Sequence, residues 1–247
     1  MRDSLEMHWG YHQWEWAAGQ LLDSLGRGFI DRVDEILSQS SLHILPLISC
    51  FSTASDVLSQ WRAYAKDGEG FCIGFAQSTL CRMGVRPVQV LYDESQQRAE
   101  ILQAVKALHA VDEAERNEKE FFSFCVMLAA DLAAMKNPAF SEEKEVRLIH
   151  LVNFEPSGDF LKLQSTGGTA FEKPLDPPRI QYEMRGSVPN PFVDLTFQES
   201  GVNTGLREVV IGPCNEARTT AIKIYLETLG LGGVNVTKSA ASYRAVR

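Results

Sequence analysis

The sequence predicts an α+β fold with a mixed, mostly antiparallel, split β core and with helical N-terminal and central segments. Three patterns predict it. Apolar residues recur at helical spacing near the start of the chain and again over 94–136, and from residue 143 onward their period changes to two. No internal repeat or low-complexity linker interrupts the chain. A single domain over 1–247 is therefore expected, with a helical N-terminal part over 1–40 and a β core with inserted helices over 41–247.

The first part of the chain is predicted to pass from helices to sheet. Two helices are expected over 5–25 and 29–37, because Gly26 and Gly28 interrupt the apolar stripe between them. The apolar run that follows favours a strand. A short helix carrying Trp61 and Tyr64 is then predicted, with Asp56 or Ser55 as its N-cap. The strands of this part are predicted over 42–51, 71–75 and 85–92.

The longest helical tract is predicted over 94–136, with a break or bend near Val111 and Asp112. We expect it to end at Asn137 and Pro138, since proline cannot continue a helix. Its second half is apolar nearly all round, which is typical of a core helix. These apolar residues are Phe121, Phe122, Cys125, Leu128, Ala129, Leu132 and Met135.

The last part of the chain is predicted to be mainly sheet. Short alternating runs separated by glycine and proline indicate antiparallel strands over 143–151, 160–164, 179–184 and 192–197. The final unit is predicted as a strand over 206–211, a helix over 216–229 and a strand over 234–237.

Composition limits the class of protein. Hydrophobic residues make up 45% of the chain and charged residues 23%, which excludes disordered and disulfide-scaffold proteins. The net charge of −8 and the lack of a basic patch argue against nucleic-acid binding. No apolar run is long enough to span a membrane, and the five cysteines never form a C-x-x-C pair. We therefore predict a cytoplasmic protein with reduced thiols.

The motifs of several common enzyme classes do not occur. The sequence has no phosphate-binding loop, no dinucleotide-binding glycine motif opening a helix, no H-E-x-x-H and no G-x-S-x-G. His8 and His12 have helical spacing, but no third ligand accompanies them. We therefore expect no metal site.

The start of the strand predicted over 143–151 is rich in charge. On a strand, Glu143 and Glu145 would project from one face about 6–7 Å apart, with Arg147 continuing the row. One interpretation is a solvent-exposed charged edge beside the apolar residues Val146 and Leu148. The other interpretation is a pair of catalytic carboxylates.

A set of spaced motifs resembles a known family. They are Cys50-Phe51-Ser52, Trp61 to Tyr64, Gly70 to Phe75, Lys136 with Phe140, Glu143 to Leu148, Ile211-Gly212-Pro213, and Ser239 with Tyr243-Arg244. Together they resemble the uncharacterised bacterial domain-of-unknown-function family 2971 over nearly the whole chain. The layout of that family is loosely similar to the ADP-ribosyltransferase fold, a split antiparallel β core that binds NAD.

The second resemblance implies a site with NAD as substrate and no metal. Cleavage of the bond between nicotinamide and ribose builds oxocarbenium character, which a fixed carboxylate stabilises. Glu145 would take that role through the ribose 2′-hydroxyl, and Glu143 would orient or deprotonate the acceptor. Ser52, followed by Thr53, would hold Glu145 in place. The acceptor itself is unknown.

The same resemblance suggests further contacts with NAD. Trp61, Tyr64 or Phe71 would stack on nicotinamide, although core packing is the commoner role of aromatic residues and the one we favour for these three. The cationic residues of the matched motifs would meet a pyrophosphate or serve as ion-pair partners. These cations are Lys136, Arg147, Arg185 and Arg244.

The beginning of the chain departs from the family pattern. Family members open with a Y-H-Y-T-like strand upstream of an N-D-x-x-E step, and this chain begins at that step, as Arg2 to Glu6. We expect the gene to continue upstream of Met1 by roughly 30 residues, because an uncovered strand edge is seldom tolerated. If it does not, the alternative is a non-catalytic ligand-binding or protein-interaction domain that keeps the scaffold.

Overall fold

The computed structural model has the predicted mixed α+β fold, with antiparallel sheets. It describes residues 4–38, 43–81, 83, 85, 87–165, 167–170, 173–195 and 205–243. The helices are α1 (Ser4–Leu25), α2 (Arg27–Leu37), α3 (Leu58–Tyr64), α4 (Gln77–Leu80), α5 (Glu94–Glu115), α6 (Glu118–Leu132) and α7 (Thr219–Thr228), with a 3₁₀ helix over Pro138–Glu143. The strands are β1 (Ile44–Ser52), β2 (Phe71–Phe75), β3 (Pro87–Gln89), β4 (Glu145–Ser157), β5 (Phe160–Ser165), β6 (Gly168–Ala170), β7 (Lys173–Leu175), β8 (Ile180–Arg185), β9 (Val188–Val193), β10 (Leu206–Ile211) and β11 (Asn235–Lys238).

The chain divides into two compact units, each built from separate stretches of sequence. The first unit comprises Met1–Cys50, Val88–Ser141 and Val146–Asp194. The second comprises Phe51–Pro87, Glu142–Glu145 and Leu195–Arg247. The single domain expected from the sequence stays a prediction.

Four helices build the core of the first unit. The buried faces of α1, α2, α5 and α6 meet in one apolar cluster, and the polar groups of the aromatic residues are paired. Trp14 Nε1 and Tyr11 Oη both donate to Asp34 Oδ1, at 2.8 Å each. The cluster includes Trp14, Leu21, Phe29, Val33, Ile101, Val105, Phe121, Cys125 and Leu128.

The break between α5 and α6 lies later than predicted. The helix continues through Val111 and Asp112 and ends at Glu115, and the C-cap residue Arg116 has a left-handed φ of 47°. Asn117 then caps α6 by accepting from the backbone N–H groups of Lys119 and Glu120. Two short-range features, a left-handed residue and a cap, therefore place the break.

The end of α6 and the surface of α6 also differ from the prediction. The helix stops at Leu132 rather than at Asn137, because the chain next pairs with Leu91: Leu91 N–H donates to Ala134 O, and Lys136 N–H donates to Leu91 O. The helix is not buried all round, since Phe124 and Met127 are exposed.

The strands of the first unit range from three residues in β6 to 13 in β4, and their pairing is antiparallel where the register is described. A four-stranded sheet has the order β1, β4, β3, with β5 pairing β4. The pairs β6 with β7 and β8 with β9 form two separate ribbons. Strand β3 is shorter than predicted. Strand β9 begins at Val188 rather than at residue 192, because a two-residue turn at Gly186 and Ser187 returns the chain directly onto β8.

The second unit centres on a three-stranded sheet of order β11, β10, β2. Strand β10 pairs parallel with β11 and antiparallel with β2. Helix α7 packs on this sheet through Leu226, which shares a core with Val209, Ile211, Val234 and Val236. It begins at Thr219, three residues later than predicted.

Candidate functional site

Glu143 and Glu145 do not share one face of a strand, so that prediction is wrong. Glu143 is the last residue of the 3₁₀ helix, and β4 begins at Glu145. Lys144, between them, has a φ of 45°, which interrupts the alternation of an extended chain. The two carboxylates therefore have different surroundings.

Glu145 and Arg147 are both buried, so the interpretation as a solvent-exposed charged edge is also wrong. Only 5% of Glu145 is exposed, and Arg147 is equally enclosed. The Arg147 guanidinium donates from Nη1 to the backbone carbonyl of Ala133 at 2.6 Å. A buried charge with such a partner is part of the packing of its unit.

Ser52 binds the backbone of Glu143. Its Oγ lies 2.6 Å from the Glu143 carbonyl, to which it donates its proton. The same oxygen accepts from the backbone N–H of Ala54 at 3.0 Å and from Gln60 Nε2 at 3.1 Å. A hydroxyl has one proton to donate, so the expectation that Ser52 holds the Glu145 carboxylate is wrong.

The carboxylate of Glu143 is held from helix α3. Tyr64 Oη donates to Glu143 Oε1 at 3.2 Å, and Gln60 Nε2 donates to the Glu143 carbonyl at 2.9 Å. Gln60 was not singled out from the sequence, although its spacing of four residues from Tyr64 places both on one helix face. Tyr64 is 72% exposed and Glu143 is partly exposed, so this face of the unit is accessible.

Thr53 completes the arrangement. Its backbone N–H and its Oγ1 both point to the carbonyl of Lys144, at 3.0 and 3.3 Å. The polar Ser52-Thr53 step at the end of β1 therefore fixes the turn that carries the carboxylate. We call Ser52, Thr53, Gln60, Tyr64 and Glu143 the Glu143 cluster.

The three aromatic residues proposed for stacking have different surroundings. Trp61 is buried, and its Nε1 donates to Asp56 Oδ1 at 2.6 Å. Phe71, on β2, is exposed, as is Tyr64. Tyr64 and Phe71 can therefore meet a ligand without rearrangement, whereas Trp61 serves the packing of α3.

Asp56 fastens the C-terminal segment and does not cap α3 as predicted. The N-cap position is Val57, which makes no side-chain cap bond. Asp56 instead accepts from Ser239 Oγ at 2.5 Å and from the backbone N–H of Ala240 at 2.7 Å. Burial raises the pKa of Asp56, but the bonds from Ser239, Trp61 and the backbone outweigh it and hold the pKa below its usual range.

Replacing Asp56 with Asn is expected to destabilise the chain at pH 7 by about 0.5–1 kcal/mol, because the ionised acceptor of several hydrogen bonds is lost but solvent screens this exposed carboxylate. A carboxyl group whose pKa is lowered on folding stabilises the folded state at pH values above its pKa in the unfolded chain. This contribution disappears as the pH falls through its pKa in the folded chain. The difference between wild type and variant should therefore narrow below about pH 4. Urea unfolding at pH 7 and pH 3 measures it, with the exposed Asp159→Asn as control. A difference that is the same at both pH values would contradict the assignment.

The remaining described candidates belong to the first unit. Lys136 is buried with Nζ 4.8 Å from the centre of the Phe140 ring, and Arg185 Nε pairs with Glu183 at 2.6 Å. His8 and His12 are exposed on α1. Arg244 lies outside the described residues.

The described residues meet neither the requirements of a metal site nor those of a membrane-spanning helix. No three His, Cys, Asp or Glu side chains there are grouped in a way that would hold a metal ion. No described helix combines the length and the apolar character that crossing a bilayer requires.

Comparison with known proteins identifies one family. Neither a curated protein nor a solved structure matches the chain. Residues 60–148, which include most of α3 and both glutamates, match the family described as Protein of unknown function (DUF2971). The match confirms, over residues 60–148, the resemblance to this family that the motifs predict.

Proposed function

We propose that the chain is an ADP-ribosyltransferase-like enzyme that takes NAD as substrate and uses Glu143 as the carboxylate at the reaction centre. One observation supports this most. Ser52 and Tyr64, which are 91 and 79 residues from Glu143 in sequence, converge on it and leave it partly open to solvent. A fixed, accessible carboxylate is what glycosyl transfer through an oxocarbenium-like state needs.

The roles follow from the chemistry. The bond between ribose C1 and the nicotinamide nitrogen breaks, and its electron pair leaves with nicotinamide. The bond from C1 to the acceptor forms, and the proton of the acceptor passes to the carboxylate of Glu143. Tyr64 orients the Glu143 carboxylate, and Ser52 with Gln60 fixes its backbone, so that the charge is in place before the reaction begins.

Glu145 has a different role in this proposal. Because it is nearly inaccessible, we expect it to act through the start of β4 rather than on the substrate. It remains a second candidate for the stabilising carboxylate, and the two glutamates can be separated by experiment. Phe71 and Tyr64 are the proposed stacking residues.

Replacing Glu143 with Gln is expected to lower the rate of nicotinamide release from NAD at least about 100-fold, because the neutral amide cannot stabilise the developing positive charge. The melting temperature should change little, since Ser52 and Gln60 bind the backbone of this residue. Chromatographic assay of nicotinamide measures the rate. Glu142→Gln, an exposed neighbour in the same 3₁₀ helix, is the matched control.

Glu145→Gln separates the two carboxylates. If Glu145 only stabilises the fold, Glu145→Gln is expected to lower the melting temperature and the rate of nicotinamide release together. A variant that keeps its stability and loses activity would move the reaction centre to Glu145. Equal rates in wild type and Glu143→Gln would contradict the proposal.

A second candidate function is a non-catalytic ligand-binding or protein-interaction domain. The burial of Glu145 favours it, because a paired E-x-E site would need both carboxylates to be accessible. NAD that binds the wild-type chain without release of nicotinamide would support this alternative.

A further inference from the structure

Strand β2 is an uncovered edge of the sheet in the second unit. Phe71 and Ile73 lie opposite Ile211 and Val209 of β10, so all four side chains lie on the face that packs against α7. Val209 and Ile211 are buried there, whereas Phe71 is 44% exposed and Ile73 is 54% exposed. Helix α7 therefore covers β10 and leaves the apolar face of β2 open.

The backbone groups of Phe71 and Ile73 point away from β10. Gly212 N–H donates to Gly70 O at 3.0 Å, so these two facing residues form a bonded pair, and bonding alternates along antiparallel strands. The next pair, Phe71 with Ile211, is then non-bonded, and the Ile211 carbonyl accordingly accepts an N–H from its β11 side at 2.8 Å. By the same alternation, Ile73 N–H and C=O point outward. Among the described strands, none pairs with β2 on that side.

The edge of β2 lacks the usual protection against a further strand. Exposed edges commonly carry a charged residue or a proline, and the five residues of β2, Phe71-Cys72-Ile73-Gly74-Phe75, include neither. Another strand can therefore add to β2 by main-chain hydrogen bonds, with apolar side chains on the α7 face.

The order of residues in β2 selects a second β2 as that strand. By size, the strand is the same in both directions, with phenylalanine at each end, a small residue beside each and isoleucine at the centre. Antiparallel pairing about Ile73 sets this residue against itself and pairs all five residues of the strand. The other pairs are Phe71 with Phe75 and Cys72 with Gly74, so bulky residues share one face, small residues share the other, and no charges oppose each other.

Other registers of the same pairing fit less well. A shift by one residue would set the outward backbone groups of Phe71 and Ile73 against residues that bond β10, so the main-chain bonds could not form. A shift by two residues keeps the bonds but pairs only three of the five residues. The edge is therefore self-complementary in the register centred on Ile73.

Helix α7 extends the apolar surface beside β2. Its residues Lys223 and Glu227 line the cleft at the start of β11. Tyr225 projects from the opposite side of the helix and so lies on the β2 side, where it is 61% exposed. Leu229, one turn later, is 54% exposed. The open apolar surface thus continues from β2 onto α7.

We propose that a second copy of this chain pairs antiparallel with the open edge of β2, about a two-fold axis at Ile73. The two sheets then form one six-stranded sheet of order β11, β10, β2, β2, β10, β11, with both α7 helices on the same face. Such an interface is isologous, and every contact in it occurs twice. Pairing occupies the edge of β2, whereas the Phe71 ring stands on its face and stays accessible to a ligand.

Charge at the two-fold axis tests the register. Ile73→Lys and Ile73→Glu each set like charges directly opposite one another, so each should weaken the dimer at least about tenfold. An equimolar mixture of the two variants sets opposite charges together and should associate at least about tenfold more tightly than either variant alone. Sedimentation velocity over a concentration series of the full chain measures the dissociation constants, with circular dichroism as the control for folding.

Ile224→Lys is the matched control for these variants. Ile224 is 68% exposed and lies on the side of α7 that faces away from the sheet, so the same change there should keep the dissociation constant within about threefold of wild type. An equal loss in Ile224→Lys and Ile73→Lys would contradict pairing at β2.

A proline substitution tests the main-chain bonds independently. Ile73→Pro removes an outward N–H and leaves the bonds between β2 and β10 in place, so it should abolish the dimer. Ile73→Val keeps that N–H and an apolar side chain, and should retain the dimer. A wild-type chain that stays monomeric, a folded Ile73→Pro chain that still dimerises, or a mixture of Ile73→Lys and Ile73→Glu no tighter than each alone would overturn the proposal.

Discussion

Replacing Leu128 with Ala is expected to lower the free energy of unfolding by about 2–5 kcal/mol. Leu128 is 5% exposed and lies on the inner face of α6, in the core cluster that includes Phe29 and Phe121. Its truncation removes buried apolar surface and leaves a cavity that the four packed helices can close only in part.

Met127→Ala is the matched control for this prediction. Met127 precedes Leu128 on the same helix but is 61% exposed, so its truncation should cost less than about 0.5 kcal/mol. Urea unfolding followed by tryptophan fluorescence measures both variants, since Trp9, Trp14 and Trp16 lie on α1 in the same unit. Equal losses in the two variants would place α6 outside the core.

Replacing Gln97 with Leu is expected to cost about 3 kcal/mol, because it removes three hydrogen bonds of one buried amide at once. The Gln97 side chain is fully buried. Its Nε2 donates to the carbonyls of Leu91 at 2.6 Å and Lys136 at 2.8 Å, and its Oε1 accepts from Trp9 Nε1 at 3.1 Å. One amide thus joins α1, α5 and the segment after α6.

The exposed neighbour Gln96 supplies the control for Gln97. Gln96→Leu removes only a surface bond to Glu100, so its effect should lie within about 0.5 kcal/mol. Hydrogen exchange of the Lys136 amide provides a local measurement, because this amide bonds Leu91 beside Gln97. Unchanged protection in Gln97→Leu would mean that the amide does not hold this junction.

Periodicity predicted the helices and strands where the local signal is strong. Helix α5 begins at Glu94 as expected, and Asp93 caps it by accepting from the Gln96 N–H. The break after α5 was misplaced because it depends on the backbone conformation of one residue, Arg116, rather than on the apolar pattern. Likewise, β9 was misplaced because a two-residue turn determines where it starts.

The site was predictable in part. The sequence placed Ser52 and Glu143 in one site, and the structure brings them together. It did not predict that the bond goes to a backbone carbonyl, because the left-handed Lys144 separates the two glutamates into different environments. Gln60 was missed because a single amide on a short helix has no distinctive sequence signal.

Binding of NAD to the Glu143 cluster is the central claim, and a titration of ¹⁵N-labelled chain with NAD tests it most directly. The expected result is saturable shifts of the backbone amide resonances of Thr53, Ala54 and Lys144, with little change on α5 and α6. In Glu143→Gln the same resonances should shift, but a higher concentration of NAD should be needed to saturate them. Glu142→Gln should give the same dissociation constant as wild type. Resonances of these three amides that stay unchanged at millimolar NAD, or shifts confined to other parts of the chain, would contradict the account.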